Sequence, residues 1–154
     1  RKESQPTHFA QVVRLLKWWV DQRRQDTPGF NLCSFLVELI MAKLADDGKE
    51  FDDYHEGLVN FFSYIQRTGL RNRIAFFDNY PESKLPAKRV DRVEIFDPVN
   101  HENNVASEIT EVQRQQLVNL SDRALDSLSY ARTCQTKAEA LECWRELMGA
   151  AFDA

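Results

Sequence analysis

The stretch Asn31-Leu32-Cys33-Ser34-Phe35-Leu36-Val37-Glu38-Leu39-Ile40-Met41-Ala42-Lys43-Leu44 is apolar almost without interruption. A helix apolar all round belongs at the centre of a fold, so this segment reads as the buried helix of the domain. Asn31 is the expected N-cap and puts Ser34 in the first turn, where backbone N–H groups are free. Glu38 is the one charge inside the apolar run from Phe35 to Met41 and needs a partner if it is buried. Asp46-Asp47-Gly48 closes the helix.

Upstream, Pro6 to Arg24 reads as an amphipathic helix, with Phe9, Val12, Val13, Leu16, Trp19 and Val20 at the three- and four-residue spacings of one apolar face. Arg14, Lys17 and Trp18 lie towards another side, and Thr27-Pro28-Gly29 supplies turn chemistry. Downstream, a third helix is expected over Asp52 to Arg67, with Tyr54, Leu58, Phe61, Phe62 and Ile65 on its stripe. After Gly69 the period changes. Arg73 to Phe77 and Arg92 to Phe96 read as short strands around a loop holding Pro81 and Pro86, which predicts a small antiparallel pair. A long helix follows over Ser107 to Arg132, with Val112, Leu117, Leu120, Ala124, Leu125 and Leu128 inward. Thr136 and Glu139 resemble a capping box for a last helix bearing Leu141, Trp144, Leu147 and Met148. The expected fold is mainly α, a compact bundle of about five helices with a small antiparallel β element, forming one domain over residues 1–154.

Composition narrows the function classes. A chain of 154 residues is one ordinary domain, and 43% hydrophobic content with Gly 5 and Pro 5 excludes a disordered or collagen-like chain. No run of about 18 apolar residues exists, so no membrane span is expected. A net charge of -4 argues against bulk coating of nucleic acid through a basic surface. Cys33, Cys134 and Cys143 are odd in number and form no C-x-x-C pair, which fits thiols in a reducing, cytoplasmic setting. His8, His55 and His101 show no zinc spacing. The chain opens with Arg1 and nothing there resembles a signal peptide, so an excised domain or processed fragment is expected.

Three places bear chemistry. Arg14 and Lys17 sit one helical turn apart and could grip successive phosphates of a triphosphate; their ordinary reading is a solvated basic face with Lys17 paired to Asp21. Ser34-Phe35 could offer a hydroxyl beside free N–H groups and a ring for a base, or simply cap and fill the core. The run Ile95-Phe96-Asp97-Pro98-Val99-Asn100-His101-Glu102-Asn103-Asn104-Val105-Ala106 reads as a strand ending in an Asx-rich turn.

Asp97-Pro98-Val99-Asn100 followed by Asn104-Val105-Ala106 resembles the Asp-Pro…Asn-(Val/Leu)-(Ala/Gly) segment of template-independent nucleotidyltransferases. That segment occurs in the helical C-terminal half of 2′-5′-oligoadenylate synthetases and in archaeal CCA-adding enzymes. Val13-Arg14-Leu15-Leu16-Lys17-Trp18-Trp19 is similar to the Leu-x-Arg-Leu-x-Lys-x-Trp helix of those synthetases. Ser34-Phe35-Leu36-Val37-Glu38-Leu39 resembles the (Ser/Gln)-Tyr-x-x-Glu-Leu helix shared with the cyclic GMP-AMP synthase family. Within this superfamily the bacterial cyclic-oligonucleotide synthases of antiphage signalling (CD-NTases) are the branch that fits best.

The resemblance implies that Lys17 meets the triphosphate of ATP or another NTP, that Arg14 assists, that Ser34 touches a phosphate oxygen, and that Phe35 stacks on the base where relatives have Tyr. It sets Glu38, Asp97 and Asn104 beside the cleft, as braces more than as contacts. It implies two Mg²⁺ ions held by a palm with Gly-Ser and Asp-x-Asp motifs. Neither motif occurs in this chain. The chain thus resembles a C-terminal half, inactive alone, whose partners are an N-terminal palm, NTPs, and a regulatory or conjugating protein at the tail Ala150–Ala154. Two rivals stand beside it: an RNA-tailing enzyme that uses Lys84, Lys88, Arg89 and Arg92 on RNA, and an inert interaction module.

Overall fold

The computed structural model describes residues 8–49, 51 and 53–149. Among the described residues there are five α-helices: α1 (Phe9–Asp26), α2 (Ser34–Asp46), α3 (Tyr54–Thr68), α4 (Glu111–Thr133) and α5 (Lys137–Met148). Pro6, Asp52 and the tail Ala150–Ala154 lie outside the described residues. α1 buries Phe9, Val12, Val13, Leu16, Trp19 and Val20, the stripe its spacing predicts. The Trp19 ring meets Phe62 of α3 edge-on at 4.8 Å and Phe30 at 6.2 Å.

Helix ends follow local chemistry. The Asp53 side chain caps α3 by accepting from the Glu56 N–H at 2.7 Å, and Gly69 closes that helix at φ 61°. Thr110 and Gln113 form a reciprocal capping box on α4. Thr136 caps α5 by accepting from the Glu139 N–H. α4 therefore starts later than Ser107, and Val112, expected inward, is 69% exposed in its first turn.

α4 packs between α3 and α5, while α1 touches α2, α3 and α5. Among the described helices α2 packs on α1 and α3 alone, so it lies at the edge of the bundle and not at its centre. Leu36, Val37, Leu39, Ile40, Met41 and Leu44 are buried, but Phe35 and Glu38 are exposed. Ten apolar residues in the fourteen from Asn31 to Leu44 would have needed cover on every side; the fold covers one side and leaves a strip open.

The expected antiparallel strand pair does not form. Among the described residues there is no strand, only single bridges: Ile74 with Ile95, in parallel sense, and Phe96 with Asn104, antiparallel. Ile74 N–H donates to Glu94 O and Phe96 N–H to Ile74 O, each at 2.9 Å. Side chains then take the groups a ladder would use. Ile95 N–H donates to Asn104 Oδ1 at 2.9 Å, and Phe76 N–H donates to Tyr80 Oη at 3.3 Å. The architecture is an all-α five-helix bundle with an irregular loop region between α3 and α4.

Arg114 ties that bundle across its loop. Its side chain is buried, donates to Gly69 O at 2.9 Å, and bonds Glu111 through Nε at 3.1 Å. The Arg114 hydrogen bond holds the Glu111 carboxyl below its ordinary range. A folded pKa below the unfolded one gives stability that is present above the unfolded value and lost as pH falls through the folded one.

α1 and α3 approach closely at Gly57. A Cβ built there would sit 2.6 Å from Val12 Cγ2 and 3.0 Å from Phe51 Cδ1. Gly57→Ala is expected to destabilise the fold by about 1–3 kcal/mol, because the overlap falls on buried side chains with no free volume. A thermal melt followed by circular dichroism checks this; an unchanged midpoint would show that the two helices can separate freely.

Candidate functional site

An open groove of about 460 Å³ runs between α1 and α2. Ala10, Val13, Arg14 and Lys17 line it from α1, Glu38, Leu39 and Ala42 from α2, and Pro98 from the loop region. Lys17 Nζ bonds Glu38 Oε1 at 2.7 Å. Lys17 does not pair with Asp21 as its spacing suggested: Asp21 is held by Arg24 Nη1 at 2.9 Å. The Lys17 and Glu38 side chains are 34% and 47% exposed, so the pair is solvent-screened and worth no more than about 1 kcal/mol. Arg14 is exposed and has no ion-pair partner among the described residues. The groove thus offers one guanidinium without an ion-pair partner among the described residues and one ammonium that already holds a carboxylate.

Ser34 and Phe35 stand at the start of α2, outside the groove lining. The N-cap is Cys33, not Asn31, and no side chain caps this helix end. Asn31 is drawn away by Arg24, whose Nε and Nη2 donate to its Oδ1 at 3.1 and 2.8 Å. The first N–H groups of α2 therefore lack a side-chain acceptor, and the exposed Ser34 hydroxyl belongs to this turn. Phe35 is 42% exposed. At 100° per residue, Phe35, Glu38 and Ala42 fall on one strip of α2. The structure brings Arg14, Lys17 and Glu38 together directly and sets Phe35 one turn from Glu38.

Asn104 and Asp97 shape the loop. Asn104 Nδ2 donates to Asp91 Oδ2 at 2.9 Å and to Val93 O at 2.8 Å. Its Oδ1 accepts from the N–H groups of Ile95 and Ala106 at 2.9 and 3.0 Å. Asp97 Oδ1 accepts from the N–H groups of Val99 at 2.8 Å and Asn100 at 3.3 Å. That turn fixes Pro98 against the groove. Asn79 Nδ2 donates to Pro98 O at 2.8 Å, and the Tyr80 hydroxyl donates to Asp97 O at 3.1 Å. Burial pushes the Tyr80 phenol above its ordinary pKa, opposed by its bond from Phe76 N–H, so it stays a donor. Asn79 and Tyr80 had given no sequence signal of a site; their roles depend on contacts 19 and 17 residues away in the chain.

Lys84, Lys88, Arg89 and Arg92 are exposed in the loop region. Among the described residues no three His, Cys, Asp or Glu side chains converge as a metal site. No described helix is long and apolar enough to cross a membrane.

The sequence matches no family model. Over 99% of its length it is nonetheless similar to curated bacterial proteins. It is 43% identical over 152 residues to a cyclic AMP-AMP-AMP synthase of Escherichia coli (strain MS 115-1), covering 47% of that protein. It is 32% identical over 152 residues to the CBASS oligonucleotide cyclase CdnC of E. coli (strain KTE188), covering 44% of it. The chain therefore spans about half the length of these curated relatives. Its fold superposes on E. coli MS115-1 CdnC solved with HORMA-deltaN (TM-score 0.94) and solved with ATP (TM-score 0.93), both at 42% identity. Each superposition covers 99% of this chain and 48% of the other.

The hydrogen bonding predicts a contrast between the two loop residues. Asn104→Ala strands two backbone N–H groups and one carbonyl in a half-buried site, and is expected to cost about 2–4 kcal/mol. Asp97→Ala releases two exposed turn N–H groups and is expected to cost about 1 kcal/mol. Urea titration of both variants checks the order; equal losses would contradict the assignment of Asn104 as the main brace.

Proposed function

We propose that this chain is the nucleotide-gripping, C-terminal helical half of a CBASS-type oligonucleotide cyclase that makes cyclic oligoadenylate as a second messenger in bacterial antiphage defence. The observation that carries the reading is the 43% identity to a cyclic AMP-AMP-AMP synthase along essentially the whole chain. The groove supports it from the residues upward. Lys17 and Arg14, one turn apart on α1, meet the triphosphate of ATP as two point contacts. The Ser34 hydroxyl and the uncapped N–H groups of α2 take a further phosphate oxygen. Phe35 offers its exposed face to the adenine ring. Glu38, Asp97 and Asn104 shape the wall without touching the nucleotide's reacting atoms.

The described residues do not fit a two-metal site. In this reading Mg²⁺ is held by carboxylates of an N-terminal palm, and the chain alone is inactive. Its own share of the work is binding and orientation, which make the transfer effectively intramolecular. A relative solved with HORMA-deltaN supports a regulatory HORMA-domain partner for this protein as well. The protein is cytoplasmic, does not span a membrane and does not coat nucleic acid in bulk. An RNA-tailing role is the weaker reading, because the relatives are named for cyclic products and the basic residues Lys84, Lys88, Arg89 and Arg92 lie in a loop apart from the groove lining.

The full-length protein, incubated with Mg²⁺ and ATP with and without its HORMA-type partner, is expected to give cyclic tri-AMP by mass spectrometry, with no RNA present. Extension of added RNA without a cyclic product would overturn the reading. Lys17→Ala is expected to raise the KM for ATP about tenfold or more, the loss of one charge-assisted contact. Phe35→Ala should raise KM about fivefold or more, and Phe35→Tyr should restore it. Thermal melts of the variants close to the parent's would separate binding from folding.

A further inference from the structure

The Lys17–Glu38 contact joins α1 to α2 across the groove, and it is the one cross-helix ion pair seen there among the described residues. Lysine carries a long flexible stem whose freedom must be lost when the ammonium is fixed against a phosphate. Here the ammonium is fixed already, at 2.7 Å from Glu38 Oε1. It has three N–H donors, and that contact uses one. Two remain for phosphate oxygens on the open side of the groove. Glu38 itself cannot face a triphosphate favourably, since both are anions.

From this geometry we infer that Glu38 is a positioning residue for nucleotide binding: through one hydrogen bond it holds the Lys17 ammonium at the groove wall so that the remaining donors meet phosphate. The inference rests on the nucleotide-gripping reading given above and adds to it a role for the carboxylate on the opposite helix. Two effects of Glu38 oppose each other. Its charge weakens the groove's attraction for an anion, a screened interaction at a half-exposed site. Its oxygen removes disorder from Lys17 before the ligand arrives, which lowers the ordering cost of binding.

Substitution can separate them. Glu38→Gln removes the charge and keeps an oxygen that accepts from Lys17. Glu38→Ala removes both. With the full-length protein and ATP titrated by calorimetry, Glu38→Gln is expected to bind as tightly as the parent or more so. Glu38→Ala is expected to bind about threefold to tenfold more weakly than Glu38→Gln, at an equal melting temperature. In a Lys17→Met background the difference between Gln and Ala is expected to vanish, because the residue acts only through Lys17.

Equal affinities for Gln and Ala in the Lys17 background would overturn the positioning role and leave Glu38 as a competitor for the ammonium. A Gln–Ala difference that persists without Lys17 would overturn it too, in favour of direct contact or a local structural effect. Failure of Lys17→Met to weaken ATP binding at all would instead overturn the nucleotide-gripping reading itself.

Discussion

Trp19 is fully buried, edge-on to Phe62 and Phe30, and its packing together with that of Val12 and Leu16 sets the rotation of α1 about its own axis. The rest of the fold depends on that rotation. α1 reaches three other helices, and at Gly57 its Val12 methyl leaves no space for a side chain on α3. With the stripe fixed, 100° per residue puts Lys17 at the margin of the buried face, close to Val13, and Arg14 further into solvent. A turn of α1 by one residue would bury Lys17 or swing it away from Glu38. The apolar core therefore aims the cations.

The loop region between α3 and α4 uses a different means to the same end. It has no ladder to stiffen it, so its order comes from side chains: Asn104 with four hydrogen bonds, Asp97 with two, Tyr80 and Asn79 with carbonyls of the Asp97-Pro98 turn. This explains why a strand pair was read where none exists. Alternating apolar residues such as Ile74, Phe76, Val93 and Ile95 are indeed buried, as a strand pattern demands. Periodicity reports burial and cannot report whether a neighbour's amide or a neighbour's side chain takes the backbone hydrogen bond.

The helical stripe and one cap were legible for a related reason. Phe9 to Val20 and Thr136 with Glu139 act within a few residues, where spacing and geometry are the same statement, whereas the Thr110–Gln113 box that starts α4 was passed over for a start at Ser107. The edge position of α2 was not legible, because cover for an apolar helix is decided by which partners arrive from elsewhere in the chain. Asp21 as the partner of Lys17 failed likewise: the local i,i+4 option was open, but Arg24 took Asp21 and left Lys17 to Glu38 of another helix. Arg14, Lys17, Ser34, Phe35 and the Asp97-Pro98 pair were singled out through their motifs, whereas Asn79 and Tyr80, which hold that pair, could be found only once the loop was folded.

Three ion pairs show why the groove and not the loop is suited to exchange. Glu94 is buried and bonds Arg73 Nε at 3.0 Å while also accepting from Val90 N–H. Arg114 is buried against Glu111 and Gly69 O. Taking Arg73 from Glu94 would leave a carboxylate uncompensated in a low-dielectric setting, at a cost of about 3–5 kcal/mol, and taking Glu111 from Arg114 would leave a buried guanidinium without its carboxylate. Neither pair can answer a ligand without loosening the fold. Lys17 and Glu38 sit half in water, so the ammonium can add a phosphate to its shell, or exchange one partner for another, while the bundle beneath stays as it is. The same partial exposure that makes this pair a poor source of stability is what the proposed nucleotide site requires of it.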